Sequence, residues 1–378
     1  MLAKTPPMGF NTWNTFGENI NEQVIKEAAD AMVEKGLLDA GYEYLVIDDC
    51  WAEHERDKET GRLVADKKKF PNGMKAVSDY VHSKGLKFGM YSCCGIETCA
   101  GYPSSLDNEY LDAQTFADWG VDFLKYDNCN KPEHWEGQVL YRRMGLALRA
   151  TGRDIVFSAC NWGTENVEEW IRSTGAHMYR STGDIFDNYP SFRDIALSQK
   201  QKLLYSAPGC FNDMDMLTVG MYGKGNVGTS GCNDSDYKMQ FAVWSMFSSP
   251  LMLGCDVRNM TEETYKLITN KNLIRINQDI EGRPAYQTRP DHDGTDKTHS
   301  YCKILSDGEI AIMFTNFADN VCISTLYFDS IGIPENAGYS LKMTDAFTNE
   351  EFGTFKRLVR RELQPHTCEV YLCKMIKD

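Results

Sequence analysis

Short runs of apolar, β-forming residues alternate with segments of helical periodicity from the N-terminus to about residue 257. Eight such runs are present, at residues 8–13, 42–51, 86–92, 121–127, 154–160, 178–184, 205–217 and 248–257. Between them, segments such as 21–36, 74–85 and 112–119 carry apolar residues at helical spacing; an Asn opens the first and a Gly closes the second. Eight β/α alternations predict a closed parallel (β/α)8 barrel.

The main alternative architecture is a doubly wound open sheet, which usually carries a Gly-rich phosphate turn after its first strand. This chain has no GxGxxG motif. From about residue 276 the pattern changes to alternating strands, such as 309–314 and 322–328, separated by turns rich in Asp, Gly and Asn. We therefore predict an α/β chain with a TIM barrel at residues 1–280 and a C-terminal antiparallel β-sandwich at 281–378, with the boundary inside 277–289.

Several predicted strands end in charged side chains, which is where a barrel of this type carries its catalytic groups. The second run ends in the pair Asp48-Asp49, the fourth in Lys-Tyr-Asp127 and the sixth in Arg-Ser-Thr-Gly-Asp184. A single Asp after a strand is usually a turn or helix-capping residue. Carboxylates at several strand ends of one barrel instead favour a catalytic site.

Two carboxylates that face one cavity, with cations and aromatic walls nearby, are typical of glycoside hydrolysis. One of the two acids must be ionised while the other holds a proton. Lys125 projects to the same face of its strand as Asp127 and favours the carboxylate form, whereas partial desolvation favours a protonated Asp184. Candidates for the aromatic walls are Trp13, Trp51 and Trp162, although a Trp at a strand end commonly belongs to the core.

Five sequence blocks resemble the hallmark motifs of glycoside hydrolase family 27, the α-galactosidases and α-N-acetylgalactosaminidases. The blocks are PPMGFNTW at 6–13, IDDCW at 47–51, TCAGYP at 98–103, DAQTFADWG at 112–120 and LKYDNC at 124–129. The resemblance continues in order to about residue 256. It implies a TIM barrel followed by a β-sandwich. It also implies hydrolysis of terminal α-D-galactosides, of the melibiose or raffinose type or in glycoconjugates, by double displacement and without a cofactor or metal.

Carried over position by position, the resemblance implies that Asp127 is the nucleophile and Asp184 the acid/base. It implies that Asp48 and Asp49 bind the 4- and 6-hydroxyls, so that the axial 4-hydroxyl discriminates galactose. The other substrate contacts that it implies are Trp13, Trp51, Tyr91, Lys125, Cys160, Asn161, Trp162, Arg180 and Met216. Cys99 and Cys129 match a disulfide pair that secreted members place beside the active site.

The loop after Cys160 carries, by resemblance, the specificity for the 2-position of the sugar. Members that accept an acetamido group have small Ser and Ala there, whereas this chain has Asn161 and Thr164. An Asn side chain hydrogen-bonds a free 2-hydroxyl and obstructs an N-acetyl group, so we expect a preference for galactose. Asn161 as an ordinary turn residue is the alternative.

Four positions depart from the family pattern without touching the two catalytic Asp positions. They bear on the shape of the pocket and on the substrate beyond its first sugar. They are Cys93 for the usual Asp, Tyr179 for Trp, Cys210-Phe211 for Gly-Trp and Met214 for Pro.

Other functions fit the sequence less well. Clustered carboxylates such as Asp48, Asp49, Asp213 and Asp215 suit a hard cation, but the seven histidines form no HxH or HExxH pattern of a catalytic metal site. A galactoside-binding protein without catalysis is the non-enzyme alternative, although both carboxylates are present. An α-N-acetylgalactosaminidase and a β-L-arabinopyranosidase are the alternatives on the same scaffold.

Charge and cysteine content narrow the partners and the compartment. The formal net charge of -14 repels phosphate backbones and anionic lipids, so nucleic-acid and membrane binding are not expected. The first eight residues form no apolar signal segment, which predicts a cytoplasmic protein, or a secreted one whose signal has been removed. Most of the 13 cysteines are expected to be reduced thiols. The sequence leaves the oligomeric state open, including a homo-oligomer.

Overall fold

Eight short parallel strands form the N-terminal part of the computed structural model, which describes residues 2–288 and 298–378. They are β1 (Met8–Asn11), β2 (Tyr44–Val46), β3 (Lys87–Cys93), β4 (Phe123–Asp127), β5 (Val156–Cys160), β6 (Met178–Arg180), β7 (Phe211–Asp213) and β8 (Leu251–Leu253). Neighbouring strands pair in the order β7-β6-β5-β4-β3-β2-β1-β8. A parallel bridge from Leu217, after β7, to Leu253 of β8 joins the two edges of this sheet. The predicted barrel is confirmed, and every strand overlaps a predicted run.

Helices follow each strand and cover the outside of the barrel. They are α1 (Trp13–Phe16), α2 (Glu22–Glu34), α3 (Gly73–Ser83), α4 (Glu109–Trp119), α5 (Gly137–Ala150), α6 (Val167–Trp170), α7 (Tyr189–Leu197), α8 (Asp234–Met246), α9 (Glu262–Ile268) and α10 (Lys271–Asn277). The Asn21 side chain accepts a hydrogen bond from the amide of Val24 at 2.9 Å, as expected for the residue that caps α2. Helix α4 begins three residues before the predicted start at position 112.

The run at 205–217 contains a much shorter strand than its composition suggests. A 3-10 helix covers Lys202–Tyr205, and a tight turn then brings the amide of Cys210 to 3.0 Å from the carbonyl of Ala207. Pro208, inside this turn, has no N–H to donate to a neighbouring strand. Parallel pairing therefore begins only at Phe211.

The C-terminal ends of the barrel strands lie level with one another on one face. Cys93, Asp127 and Cys160 are register partners across β3, β4 and β5. Residues that directly follow these strands are therefore carried to one opening of the barrel.

The C-terminal part is built from antiparallel strands, as predicted. They are β9 (Tyr286–Gln287), β10 (Thr298–Ile304), β11 (Ile310–Asn316), β12 (Cys322–Tyr327), β13 (Tyr339–Asp345), β14 (Glu351–Phe355), β15 (Leu358–Leu363) and β16 (Thr367–Lys377). One sheet has the order β14-β13-β16-β11-β10-β9, and β12 pairs with β15 in a second sheet. Buried side chains of both sheets, including Phe314 and Leu326, share one core. The boundary after residue 280 stays a prediction, and Arg289 lies outside the described residues.

A continuous core joins the barrel to the C-terminal sheets. The rings of Phe247 and Tyr301 meet edge to face with their centroids 5.1 Å apart, and both residues belong to the large core between the barrel strands and their helices. Lys303 of β10 is buried at this junction and donates to the hydroxyl of Ser248 at 2.8 Å and to the carbonyl of Ile276. Burial lowers the pKa of Lys303 to about 7.

Within residues 2–288 and 298–378, every helix is too short or too polar to cross a bilayer.

Candidate active site

A cavity of about 190 Å³ opens at the C-terminal ends of the barrel strands. Ten predicted site residues line it: Trp13, Asp48, Asp49, Tyr91, Lys125, Asp127, Trp162, Arg180, Asp184 and Met216. Its deep end is formed by buried side chains, and we call Asp48, Asp49, Lys125 and Asp127 the floor. Its outer end is formed by exposed residues, and we call Asp184, Phe186 and Asn226 the mouth. The volume is below the roughly 300–1,000 Å³ of drug-sized ligand sites, so the cavity suits one small polar molecule.

Asp48 is held on the floor by side chains from two strands and by the backbone amide of the next residue. Its Oδ2 accepts from Asn11 Nδ2 at 2.7 Å and from Lys125 Nζ at 2.8 Å. Its other oxygen accepts from the amide of Asp49 at 3.0 Å. Because the carboxylate is 2% exposed and paired with a cation, its orientation is fixed before any ligand arrives.

Asp49 is held mainly by backbone donors. The amides of Cys50 and Ala100 donate to its two carboxylate oxygens at 2.7 and 3.0 Å. Burial nevertheless raises the pKa of Asp49 above its ordinary value, and these hydrogen bonds oppose the increase. The pair Asp48-Asp49 therefore presents two rigid acceptors to the cavity.

Asp127 ends β4 and lies 5% exposed on the floor. Its Oδ1 accepts from the amide of Asn128 at 2.9 Å, whereas its Oδ2 accepts no hydrogen bond from the part of the chain that the structure describes. Cys99 and Cys129 form a disulfide, as the resemblance implied, and a carboxylate oxygen of Asp127 lies within 4.8 Å of their sulfurs. Asp127 thus combines an anchored carboxylate with one oxygen available to a ligand.

Arg180 lies between two carboxylates. Its Nη2 is 2.8 Å from Asp184 Oδ1, and its Nη1 is 2.8 Å from Asp215 Oδ1. Asp215 is itself fixed by the amides of Ile185 and Met216, each at 2.7 Å. The guanidinium is almost fully buried, but the side chain of Asp184 is 64% exposed. Arg180 therefore links the buried interior to the acid at the mouth.

The pKa shifts of the two central acids are opposite to the sequence-based expectation. Burial raises the pKa of Asp127 above its ordinary value despite the opposing charge of Lys125. Burial also raises the pKa of Asp184, but the charge and hydrogen bond of Arg180 outweigh it and the net pKa is lowered. The sequence suggested the Lys125 contribution, but neither the depth of Asp127 nor the ion pair at Asp184 is visible in a strand pattern.

Three predicted contacts do not line the cavity. Trp51 lies behind its wall, where its ring packs edge to face against Trp119 at 5.7 Å and its Nε1 donates to the carbonyl of Tyr91 at 2.9 Å. Cys160 lies deeper, with its sulfur 3.8 Å from Arg180 Nη1. These two side chains support residues that do reach the cavity.

Asn161 is the third, and it is fully buried. Its Oδ1 accepts from the hydroxyl of Thr164 at 3.1 Å. Its Nδ2 lies beside Gly137, since a Cβ built on that glycine would be 3.3 Å from it. The side chain is therefore directed toward the start of α5, and the expected direct contact of Asn161 with a sugar 2-hydroxyl does not fit this geometry.

The sequence is similar to a known family and to proteins of known type. The family model described as alpha galactosidase A matches residues 5–279. The alpha-galactosidase of Cyamopsis tetragonoloba is 40% identical over 98% of this chain and 86% of its own length. This chain belongs to the α-galactosidase family.

Solved structures of similar proteins agree with this assignment. Alpha-galactosidase I from Mortierella vinacea superposes with a TM-score of 0.89 at 33% identity, covering 98% of this chain and 97% of the other. An α-galactosidase from Saccharomyces cerevisiae, solved with raffinose, superposes with a TM-score of 0.87 at 27% identity, covering 99% and 98%.

The four departures from the pattern of the α-galactosidase family all lie outside the cavity wall. Cys93 is buried beside Asp127 in the sheet, and its thiol donates to the carbonyl of Cys129 at 3.1 Å. The other departures are buried: Tyr179, Cys210, Phe211 and Met214.

Several cavity residues escaped the sequence prediction. Asp215 was noted only as a candidate cation ligand, although its pairing with Arg180 makes it part of this site. Its position two residues after β7 was the available signal. Phe186 and Asn226 belong to loops, and no periodicity in the sequence indicates which loop residues turn toward a cavity.

Proposed function

We propose that the chain is a retaining, exo-acting α-galactosidase in which Asp127 is the nucleophile and Asp184 the acid/base. The observation that supports this most is the placement of both carboxylates in one small cavity, one buried on its floor and the other exposed at its mouth. A closed floor admits only the end of a saccharide, and an exposed acid suits a group that meets the departing part. The substrate partner is a galactose-containing oligosaccharide or glycoconjugate.

The first step forms a galactosyl ester. Asp127 Oδ2, which has no protein donor among the described residues, attacks the anomeric carbon. The bond to the leaving oxygen breaks as Asp184 gives that oxygen its proton. In the second step Asp184 takes a proton from water, the resulting hydroxide attacks the anomeric carbon, and Asp127 is released as a carboxylate. Two inversions leave the anomeric configuration unchanged.

This cycle requires Asp184 to hold a proton when the substrate is bound. In the unliganded site Arg180 lowers its pKa. The departing part of a substrate covers the exposed Asp184 side chain and removes water from it, which raises the pKa of a carboxyl group. Substrate binding itself therefore prepares the acid, whereas the charge of Lys125 favours the carboxylate form of Asp127.

Recognition of the sugar follows from the rigid acceptors on the floor. Asp48 and Asp49 are fixed by Asn11, Lys125 and backbone amides, and we assign them to the 4- and 6-hydroxyls. An α-glucoside presents its 4-hydroxyl equatorially, so buried acceptors placed for an axial hydroxyl lose their partner. Each unpaired buried acceptor costs about 1–3 kcal/mol.

Asn161 does not line the cavity, whereas Trp162 beside it does, so we assign the preference of this loop for galactose over N-acetylgalactosamine to Trp162. The disulfide at Cys99–Cys129 bears on the compartment. Disulfides persist in oxidising environments, so it favours the secreted alternative over a cytoplasmic protein.

The stereochemistry of the product tests the mechanism. Proton NMR of fresh hydrolysate from p-nitrophenyl α-galactoside is expected to show α-galactose first, with the β-anomer growing in only by mutarotation. If β-galactose appears first, the reaction inverts and Asp127 is not the nucleophile. If no galactose is released, the α-galactosidase proposal itself fails.

A further inference from the structure

The loop after β5 follows an unusual main-chain path at residues 162–166. Trp162, Glu165 and Asn166 are non-glycine residues with φ values of 60°, 58° and 49°, and Gly163 has a φ of 75°. The left-handed region is unfavourable for a residue with a Cβ, and such residues persist where their surroundings hold them. Trp162 lines the sugar-binding cavity from this loop. The contacts that hold the strained segment therefore bear on the site.

The carboxylate of Glu165 makes two of these contacts. Its Oε1 is 2.8 Å from Lys131 Nζ, and its Oε2 accepts from the amide of Gly137 at 2.8 Å. Lys131 belongs to the loop after β4, and Gly137 begins α5. The side chains of Lys131 and Glu165 are 18% and 29% exposed, so water and salt screen this ion pair less than a pair on the open surface. Glu165 thus anchors the strained loop to the chain that follows the proposed nucleophile.

The close approach at Gly137 leaves room for the carboxylate and for little else. A Cβ built on Gly137 would lie 2.8 Å from Glu165 Oε2, so a side chain at that position would displace the carboxylate. A second anchor is the amide of Gly163, which donates to the carbonyl of Arg180 at 3.1 Å. Trp162 directly precedes both anchors. The direction of its ring therefore depends on them.

We propose that Glu165 and Lys131 form a positioning ion pair that sets the direction of the Trp162 ring in the sugar-binding cavity. This rests on the proposed function, in which Trp162 contacts the galactose ring. Neither Glu165 nor Lys131 lines the cavity, so the pair acts on the substrate through the loop and not by contact.

The two proposed catalytic acids are held by other groups. The amide of Asn128 donates to Asp127 at 2.9 Å, and Arg180 donates to Asp184 at 2.8 Å. Loss of the ion pair should therefore weaken binding of the ground state and the transition state alike, which raises KM and leaves kcat nearly unchanged. A loss of folded protein would instead lower the apparent kcat at an unchanged KM, because less of the enzyme is active.

The test uses p-nitrophenyl α-galactoside and variants that remove the pair from either side. Glu165→Ala loses both contacts and is expected to raise KM about three- to tenfold, with kcat changed less than about twofold. Lys131→Met loses the ion pair alone, so KM should rise about two- to fivefold. Lys131→Arg keeps the cation and should stay within about twofold of the wild-type KM. The double variant should not exceed Glu165→Ala, because the two changes remove the same interaction.

Glu169→Ala is the matched control, because Glu169 is an exposed carboxylate on α6 outside the cavity wall. It is expected to leave KM and kcat unchanged. Hydrogen exchange adds a measurement that does not depend on catalysis. The amides of Gly163 and Thr164 are hydrogen-bonded in the native loop, and they should exchange about three- to tenfold faster in Glu165→Ala.

An unaltered KM in Glu165→Ala overturns the positioning role, whatever the exchange rates show. A fall in kcat at an unchanged KM, or additive effects in the double variant, also overturns it. If the wild-type protein cleaves no α-galactoside, the proposed function fails, and the exchange rates of the loop amides alone then decide whether the ion pair holds the loop that carries Trp162.

Discussion

At the floor of the cavity Asp48, Asp49 and Asp127 are between 2% and 5% exposed, whereas at the mouth the Asp184 side chain is 64% exposed. Asn11, Lys125 and backbone amides fix the floor side chains. Among the residues that the structure describes, only Arg180 donates a hydrogen bond to the acid at the mouth. The polar groups that we propose for recognition of the first sugar are therefore fixed before binding. The mouth depends on the substrate to complete its environment.

Removing the proposed nucleophile from the floor should have the largest effect on activity. Asp127→Asn is expected to lower kcat by at least about 1,000-fold, because no other carboxylate on the floor is free to attack. Added azide should restore turnover of p-nitrophenyl α-galactoside and give β-galactosyl azide, since the anion enters from the vacated face. The exposed Asp194→Asn serves as the control. Near-normal activity of Asp127→Asn would show that Asp127 is not the nucleophile.

Changing the acid at the mouth should produce an effect that depends on the leaving group. Asp184→Asn is expected to reduce kcat/KM by about 100- to 10,000-fold for melibiose, whose leaving group needs a proton. For a dinitrophenyl galactoside, which departs without one, the loss of the galactosylation rate should be much smaller. Steady-state rates on both substrates measure the difference. Equal losses would contradict the acid/base role.

The electrostatic coupling on the floor predicts a smaller effect, in pH dependence. Asp127 must be ionised to attack, and Lys125 favours its carboxylate. In Lys125→Met the pKa of Asp127 rises further, so more of it is protonated at a given acidic pH and the acid limb of kcat/KM should move to higher pH. The surface variant Lys75→Met should leave the limb in place. An unmoved limb in Lys125→Met would mean that another group controls it.

The smallest expected effect concerns the loop after β5. Neither Asn161 nor Thr164 lines the cavity, so the double variant Asn161→Ser, Thr164→Ala should change the ratio of α-N-acetylgalactosaminide to α-galactoside hydrolysis by less than about twofold. Paired kcat/KM measurements provide the ratio. A large rise in this ratio would show that Asn161 directly determines which substituent is accepted at the 2-position of the sugar.

The sequence predicted the barrel, because strand length, helical spacing and turn residues are local signals that repeat eight times. It also located most of the floor: Asp48, Asp49 and Asp127 directly follow apolar runs, and parallel strands bring their ends together. Side-chain direction in loops was not predictable. Asn161 lies against the distant Gly137 at the start of α5, and Phe186 reaches the mouth from a loop whose amide at Ile185 is held by the distant Asp215.

The pKa shifts, like the side-chain directions in loops, depend on the assembled structure. Lys125 and Asp127 are two residues apart on one strand, so their interaction was foreseeable. The burial that dominates Asp127 and the ion pair that dominates Asp184 arise from the assembled barrel.

The core that joins the barrel to the C-terminal sheets governs how the molecule loses its structure. Phe247 and Tyr301 lie in one packed interior, so melting either part strips apolar cover from the other, and both should come apart in a single cooperative transition. Lys303 adds a proton linkage to that transition. Its pKa of about 7 in the native protein lies below the roughly 10.4 of an unfolded lysine, so between these pH values the unfolded chain binds a proton that the native protein does not. The free energy of unfolding therefore increases as the pH rises through this range.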